Sequence, residues 1–546
     1  MKSKTSLFNW TIFRKDITRF FPVWVFYAVT QFMTLVSFPT ESAYLVASVA
    51  ESISSSVFIC LTYAPLVCLL LFGDLYKNRL CNGIHTLPLQ RHTLFFTHTA
   101  AALCFYIVPN GAIALLRLLR FGKYWYVSLY WLLGTSLIYV CFLGICLFCV
   151  FCTGKRFAMV CLYIILLSFP SLCYSLYETL YEPMLPGIHV GSEVFRRFSP
   201  LYALGSRDYI AVEDWFHSPF SITITSLRIV GSDWLYLALW AGVGTLFGAA
   251  ALVLYRRRHL ENAGNFMAVK IFRPFFLVFY TLLFTMFFGL SAGFGTMLIG
   301  IFLGYFTGLM LLNRSRHVFS GKAWAGLGLF VGVIALSLVL TAVDVLGVTR
   351  WVPKPEDVKQ VRLSTNDRID IADIEPFYID EEIITLRDEQ SISDAIAIHK
   401  FAKSDQPASL SKEVAFNIEY TLKDGTVRKR YYTIPVSSPE GKLYRQYMSR
   451  PETLFGEDPE GFLSKALITR LNEHTLPLEE QEIVKQLLLA DCRAGYMAQN
   501  YSFHISSGYG LTLQYGENTM YLQVHDPESS LYRWISENGY SWRPLK

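Results

Sequence analysis

The chain has 546 residues, 53% of them hydrophobic, 16% aromatic and 17% charged, with a net charge of +5 and a mean hydropathy of +0.35. An average soluble domain carries about 25% charged residues, so this composition excludes an ordinary soluble enzyme of this size as well as a disordered chain. The charge is also divided: residues 349–546 hold 23 Lys+Arg and 30 Asp+Glu, which leaves 25 of the 48 basic and 13 of the 43 acidic residues for 1–348.

A basic, apolar first part thus carries a polar, mildly acidic second part. The basic residues sit between apolar runs, which excludes nucleic-acid binding as their default use. The expected class is an α-helical polytopic membrane protein of about nine spans (residues 1–348) followed by an α+β soluble domain (residues 349–546).

In chain order, the stretch 6–19 comes first. Trp10, Phe13 and Ile17 fall on one helical face, and Arg14, Lys15 and Arg19 can reach anionic headgroups. This pattern predicts an interfacial helix lying on the inner leaflet. The stretch lacks a short apolar core followed by small-x-small, so the first span is expected to stay in place. A spanning helix needs about 20 mostly apolar residues, and spans are expected near 20–38, 57–73, 94–115, 126–152, 157–177, 234–255, 275–291, 296–312 and 323–347. The stretch 275–312 fits two short helices joined at 291–295, and it also fits a re-entrant hairpin. Either way the chain returns to the side it left.

Orientation follows from Lys and Arg in short loops. With the N-terminus inside, inner segments hold 18 of these residues and outer connections hold 7, four of them in the long loop 178–233. An odd number of crossings then puts 349–546 outside. Arg117, Arg120 and Lys123 oppose the bias. They either snorkel to outer headgroups or show that the third and fourth spans are misplaced.

Ten of the eleven cysteines lie in the membrane half, and only Cys492 lies beyond it, so the outer domain has no internal disulfide. A bacterial cell surface suits that better than a eukaryotic ectodomain. Cys149-x-x-Cys152 lacks further ligands nearby and reads as buried apolar sulfur. His85, His92 and His98 surround one inner loop without a carboxylate or Cys at metal spacing, and read as solvated or interfacial. No phosphate-loop, dinucleotide, H-E-x-x-H or G-x-S-x-G signature occurs, and no cofactor is expected. The spans are nearly free of charge, which argues against an ion or proton relay. No paired polar residues suggest a membrane-embedded enzyme.

Two inner segments stand out. One runs from Asp74 to Phe95 and holds a short amphipathic piece, then Leu87-Pro88, then Arg91. The other runs from Tyr255 to Asn265. Both mix charged, small and apolar residues, as suits docking to a soluble partner. Ser-Lys-Thr-Ser-Leu-Phe-Asn (3–9), His-Thr-Leu-Pro-Leu-Gln-Arg (85–91) running into Leu94-Phe95, and Tyr-Arg-Arg-Arg…Glu-x-Ala-Gly (255–264) resemble permease subunits of type-2 ABC exporters from Gram-positive bacteria. The resemblance covers most of 1–347. The chain departs from the pattern at Thr86 for Ser, Leu89 for Ile, Gln90 for Lys and Asn262 for Arg. The C-terminal part looks like an uncharacterised domain carried by some permeases of this group.

The resemblance implies a permease without ATPase activity of its own, powered by a separate ABC ATP-binding subunit, paired with a second permease copy or a paralogue, and in contact with membrane lipids but not nucleic acid. It makes Arg79, Gly83, His85, Leu87, Pro88 and Arg91, with Glu261 and Gly264, the candidates for coupling to the ATPase. The substrate is not legible; aromatic, uncharged spans suit an amphipathic cargo. The rival expectation is a membrane sensor with an extracellular ligand-binding domain.

In the outer domain, residues 414–422 and 427–434 alternate polar and apolar around Asp424-Gly425, a hairpin signal. Helices are expected at 390–402, 459–473 and 477–492, and strands near 501–506, 510–515 and 519–525.

Overall fold

The computed structural model describes residues 7–36, 42–86, 89–120, 124–190, 195, 197–218, 221–258, 264–292, 294–345, 347–365, 383–403, 413–435, 438–448, 450–451, 458–471, 474–494, 496, 509–515, 518–524, 528–538 and 540. The chain divides into two units: Met1–Thr179 with Gly191–Ala335, and Leu180–Val190 with Leu336–Lys546.

The first unit is helical: α1 (Trp10–Arg19), α2 (Phe21–Val36), α3 (Ser42–Leu71), α4 (Asn78–His85), α5 (Arg91–Arg120), α6 (Trp125–Cys152), α7 (Arg156–Leu176), α8 (Pro200–Gly205), α9 (Gly231–Arg257), α10 (Phe272–Ala292) and α11 (Phe294–Asn313), with α12 (Gly321–Ala342) running on toward the second unit. Among the described residues, eight helices are long and apolar enough to cross a membrane; they lie in α3, α5, α6, α7 with the turns that extend it, and α9 to α12. The expected first span is present as a shorter apolar helix, Phe21–Met33 within α2. At 1.5 Å per residue, the 16 residues of α2 cover about 24 Å, less than the ~30 Å of a hydrocarbon core. The expected loop 178–233 instead holds an antiparallel hairpin, β1 (Ile210–Ser218) and β2 (Ser221–Ile229), with Ile210 opposite Ile229.

The bundle is organised around α6, which buries residues on every side from Val127 to Cys152, as a helix apolar all round must. Its closest neighbour is α9. A Cβ built on Gly144 would collide with the Gly244 carbonyl oxygen, and one on Gly244 would collide with Cys141 Cα. Only glycine at both positions lets these backbones meet. In the stretch 275–312, α10 and α11 form two full antiparallel helices. Gly300 faces Phe284 and Thr285, Gly304 faces Thr281 and Phe284, and Gly308 faces Leu277 and Tyr280. Glycines four residues apart lie on one helix face and admit close backbone approach where lipid supplies no hydrophobic drive.

The second unit contains two small α+β cores. In the first, the antiparallel sheet β4-β3-β5-β6 comprises β3 (Val358–Thr365), β4 (Ile383–Leu386), β5 (Glu413–Leu422) and β6 (Val427–Pro435); α13 (Glu389–Lys403) and α14 (Pro439–Met448) cover it. The expected hairpin is β5–β6, with Val414 opposite Ile434 and a turn whose Gly425 has φ +85°, a backbone region that favours glycine.

The second core holds α15 (Pro459–Lys465), β7 (Leu467–Leu471), α16 (Leu478–Ala494), β8 (Tyr509–Tyr515), β9 (Asn518–Val524) and α17 (Ser530–Glu537). The helix expected over 459–473 stops at Lys465. Residues 467–471 pair with β8 instead and bury Ile468 and Leu471. The strand expected at 501–506 lies outside the described residues. Leu180–Val190 belongs to this unit. Tyr431 N donates to the Gly187 carbonyl at 3.0 Å, and Tyr181 Oη lies 2.7 Å from Ser337 Oγ.

Candidate functional site

The short helix α4 follows α3 and precedes α5. Cys81 is buried beneath it, while Arg79, Leu80, Asn82 and Gly83 are exposed. One face therefore anchors and the opposite face meets solvent, and a Cβ on Gly83 would meet nothing within 4 Å. His85 is the last residue of α4. Leu87, Pro88 and Glu261 lie outside the described residues. Leu80 was not singled out from the sequence. An apolar side chain beside Arg79 on the solvent face is the signal that would have found it.

Arg91 opens α5 and is turned away from solvent partners. Its Nη1 donates to the carbonyls of Tyr255 at 3.0 Å, Arg256 at 3.1 Å and Arg258 at 2.6 Å. These oxygens end α9, where the last carbonyls have no intrahelical donor and the helix dipole favours a cation. Arg258, itself buried, does the same for other segments: its Nη1 donates to Val150 O at 3.0 Å and its Nη2 to Leu75 O at 3.5 Å.

Gly264 has φ +83° and donates its N–H to Gly154 O at 2.7 Å. Next to it, Thr153 and Met267 form an antiparallel bridge, and Ala268 N donates to Cys152 O at 2.8 Å. The described residues of 73–86, 89–91, 150–156, 255–258 and 264–268 are thereby knitted into one surface. Of the candidates, Arg79 and Gly83 are presented outward, whereas Arg91 and Gly264 hold the surface together.

At the same end, α1 is fastened to α5. Asn9 caps α1 by accepting from Ile12 N at 3.1 Å, and its own N–H donates to Thr97 Oγ1 at 3.1 Å. Asp16 is buried and pairs with His98 Nδ1 at 2.7 Å. His98, expected to be solvated or interfacial, is thus the partner of a buried carboxylate. Phe13 and Ile17 pack against the bundle, while Trp10 and Arg14 are exposed.

Deeper in the bundle lies a group of tyrosines that the sequence did not announce. Tyr27 stacks on Tyr63 and Tyr106 with centroids 4.6 and 5.2 Å away, and Tyr106 stacks on Tyr139 at 4.2 Å. Their hydroxyls are used locally: Tyr27 donates to Asn110 Oδ1 at 2.9 Å, Tyr63 to Phe105 O at 3.1 Å and Tyr139 to Ala102 O at 3.1 Å. Hydrogen-bonded tyrosines are how aromatic mass is placed in a low-dielectric interior without orphaned hydroxyls. Arg117 does not snorkel outward. It is 3% exposed, with its guanidinium 4.2 Å from the Trp131 ring centroid. Arg207, counted among outer cations, pairs with Asp233.

In the second unit the polar groups serve the fold. Asp344, just past α12, accepts from Val348 N at 2.8 Å and Thr349 Oγ1 at 2.6 Å, which holds its carboxyl below the usual range. Asp491 is buried and accepts from Ser529 Oγ, Ser530 N and Leu531 N at 2.6 to 2.9 Å, capping α17. His399 is fully buried, each ring nitrogen 3.0 Å from a hydroxyl, of Tyr420 and Tyr432. Burial, with Arg430 and Lys403 nearby, pushes its pKa down to about 4. Among the described residues no group of three or more His, Cys, Asp or Glu is placed to hold a metal ion.

No family model, no curated protein and no solved structure matches the chain.

Proposed function

We propose that the chain is the membrane-spanning permease subunit of an ABC transporter, exporting or handling an amphipathic substrate. A separate ATP-binding subunit docks on α4 and on the connection after α9, and a second permease copy or paralogue completes the transporter. The observation that carries this reading is the inner surface. The outward face of α4 offers Arg79, Leu80 and Gly83, and Arg91 fastens the root of α5 to the end of α9. A push on either segment is therefore felt by α5 and α9 together, as mechanical coupling requires.

The N-terminus and these segments are cytoplasmic in this reading, and the C-terminal unit is extracytoplasmic. Chain order supports the second placement. Seven candidate spans separate α4 from the C-terminal unit, and four separate Leu180–Val190 from it. An even number keeps that short segment on the same side as the unit on which it packs. Counting α10 and α11 as a single crossing would separate the two.

The test is co-expression with the ATPase encoded beside this chain. The two should co-purify from membranes, with ATP turnover that needs both, and Arg79→Glu should lower turnover several-fold while leaving the thermal midpoint unchanged. A chain that purifies alone, beside an ATPase indifferent to it, sinks the proposal. A sensor is the second reading. The packing of 180–190 on the C-terminal unit favours it, because that segment leads straight from α7. Co-purification of a kinase or an anti-sigma factor in place of an ATPase would select it.

A further inference from the structure

Two buried side chains on one face of α5, Asn110 and Arg117, carry donors with no acceptor among the described residues. Arg117 is 3% exposed, and its Nε and Nη1 find no hydrogen-bond partner among the described residues. Asn110 is 0% exposed; its Oδ1 accepts from Tyr27, but its Nδ2 is likewise without a partner. Positions 110, 114 and 117 follow i, i+4, i+7 spacing, so they share a helix face. The residue between the two donors is Ala114, whose side chain is a single methyl. Arg117 stands near the end of α5 opposite Arg91, on a span longer than the hydrocarbon core requires.

A guanidinium at that depth could turn outward to water and headgroups. Instead it is drawn inward over Trp131 of α6. Stacking on an aromatic ring returns less than burying an unpaired cation costs, and an unmade amide bond adds to that cost. All the missing partners are acceptors. The upper one faces a full positive charge and the lower one faces a neutral amide.

We propose that this face, between α2, α5 and α6, binds the head of an anionic membrane amphiphile. A phosphate or carboxylate accepts from Arg117 Nε and Nη1. An ester or amide carbonyl of the same molecule, about 10 Å further along the helix (seven residues at 1.5 Å each), accepts from Asn110 Nδ2. The shared chemistry is an anionic head with a carbonyl one short spacer deeper, as in a phospholipid or an acidic lipopeptide. This inference does not rest on the permease reading.

The full-length chain in neutral detergent is titrated with dioctanoyl phosphatidylglycerol, with dioctanoylglycerol and with inorganic phosphate, and bound species are counted by native mass spectrometry. Phosphatidylglycerol should bind saturably. Dioctanoylglycerol, which keeps the carbonyls without the anion, and phosphate, which is the anion alone, should both bind far more weakly. Arg117→Gln should weaken phosphatidylglycerol about ten-fold, Arg117→Lys less, and Asn110→Leu measurably, with the unliganded thermal midpoint lowered as well because the Tyr27 hydroxyl loses its acceptor. If Arg117→Gln does not fold, Arg117→Lys and Asn110→Leu carry the comparison. Phosphatidylglycerol binding that ignores these variants overturns the proposal, with water as the partner of both donors. Inorganic phosphate binding as tightly as the lipid overturns it in favour of a free-anion site.

Discussion

Arg91 and Arg79 sit twelve positions apart, between α3 and the start of α5, and do opposite things. Arg91 is spent on three carbonyls at the end of α9, whereas Arg79 is exposed. Hydrogen bonds from a charged donor contribute about 1.5–3 kcal/mol each when buried, and less where one nitrogen is shared. Arg91→Ala should therefore lower stability by about 1.5–3 kcal/mol, read as a fall in the thermal unfolding midpoint of the full chain in detergent. Arg79→Ala should leave that midpoint where it is. An equal fall for both would show that Arg91 is not a cap.

His399 gives a pH signature at the same scale. Its folded pKa, about 4, lies below its ordinary value of 6.5, so the unfolded chain binds the proton more readily. Stability is unaffected above pH 6.5 and is lost as pH falls from 6.5 through 4. The loss amounts to about 3 kcal/mol, since each pKa unit is worth about 1.4 kcal/mol. Calorimetry of the C-terminal transition at pH 7, 5.5 and 4.5 should show this decline, and His399→Gln should flatten it. None of these residue roles could be read from sequence. Arg91 reads as a docking charge because the carbonyls it caps lie far along the chain at the end of α9, and Arg117 as a topological anomaly because sequence does not show that it turns inward over Trp131 of α6.

At the scale of elements, hydropathy located the helices well because a span must satisfy its own backbone and cover itself with apolar side chains. It did not show how they pack. The α6–α9 contact depends on Gly144 facing Gly244, and the α10–α11 contact on Gly300, Gly304 and Gly308. Small residues signal such contacts only once the facing helix is known. The helix expected at 459–473 failed for a related reason: Leu467–Leu471 is too short for its alternation to stand out, and pairing with β8 decides its state.

The glycine account makes a sharp comparison. Gly144→Ala forces a methyl against the Gly244 carbonyl and should cost about 1–3 kcal/mol or more. Gly248→Ala, on the same helix α9 with nothing within 4 Å of its Cβ, should be neutral or slightly stabilising. Thermal midpoints of the two variants decide it; two equal midpoints would mean the helices do not meet at these glycines.

At the scale of the molecule, the account requires the outward face of α4 and the C-terminal unit to lie on opposite sides of the membrane. The seven candidate spans between them carry that requirement whether or not α2 crosses. The acidic balance of 349–546 agrees with it, since such a domain gains nothing from an anionic inner leaflet.

The direct measurement uses a cysteine introduced at Arg79 or at Asp424, which lies in the exposed β5–β6 turn, with the unsubstituted background as the labelling blank. Each is placed in a background lacking Cys492 and probed with a membrane-impermeant maleimide in intact cells. The account predicts that Asp424→Cys labels at once and that Arg79→Cys labels only after permeabilisation. Labelling of both before permeabilisation, or of both only after it, would put the two surfaces on one side and contradict it.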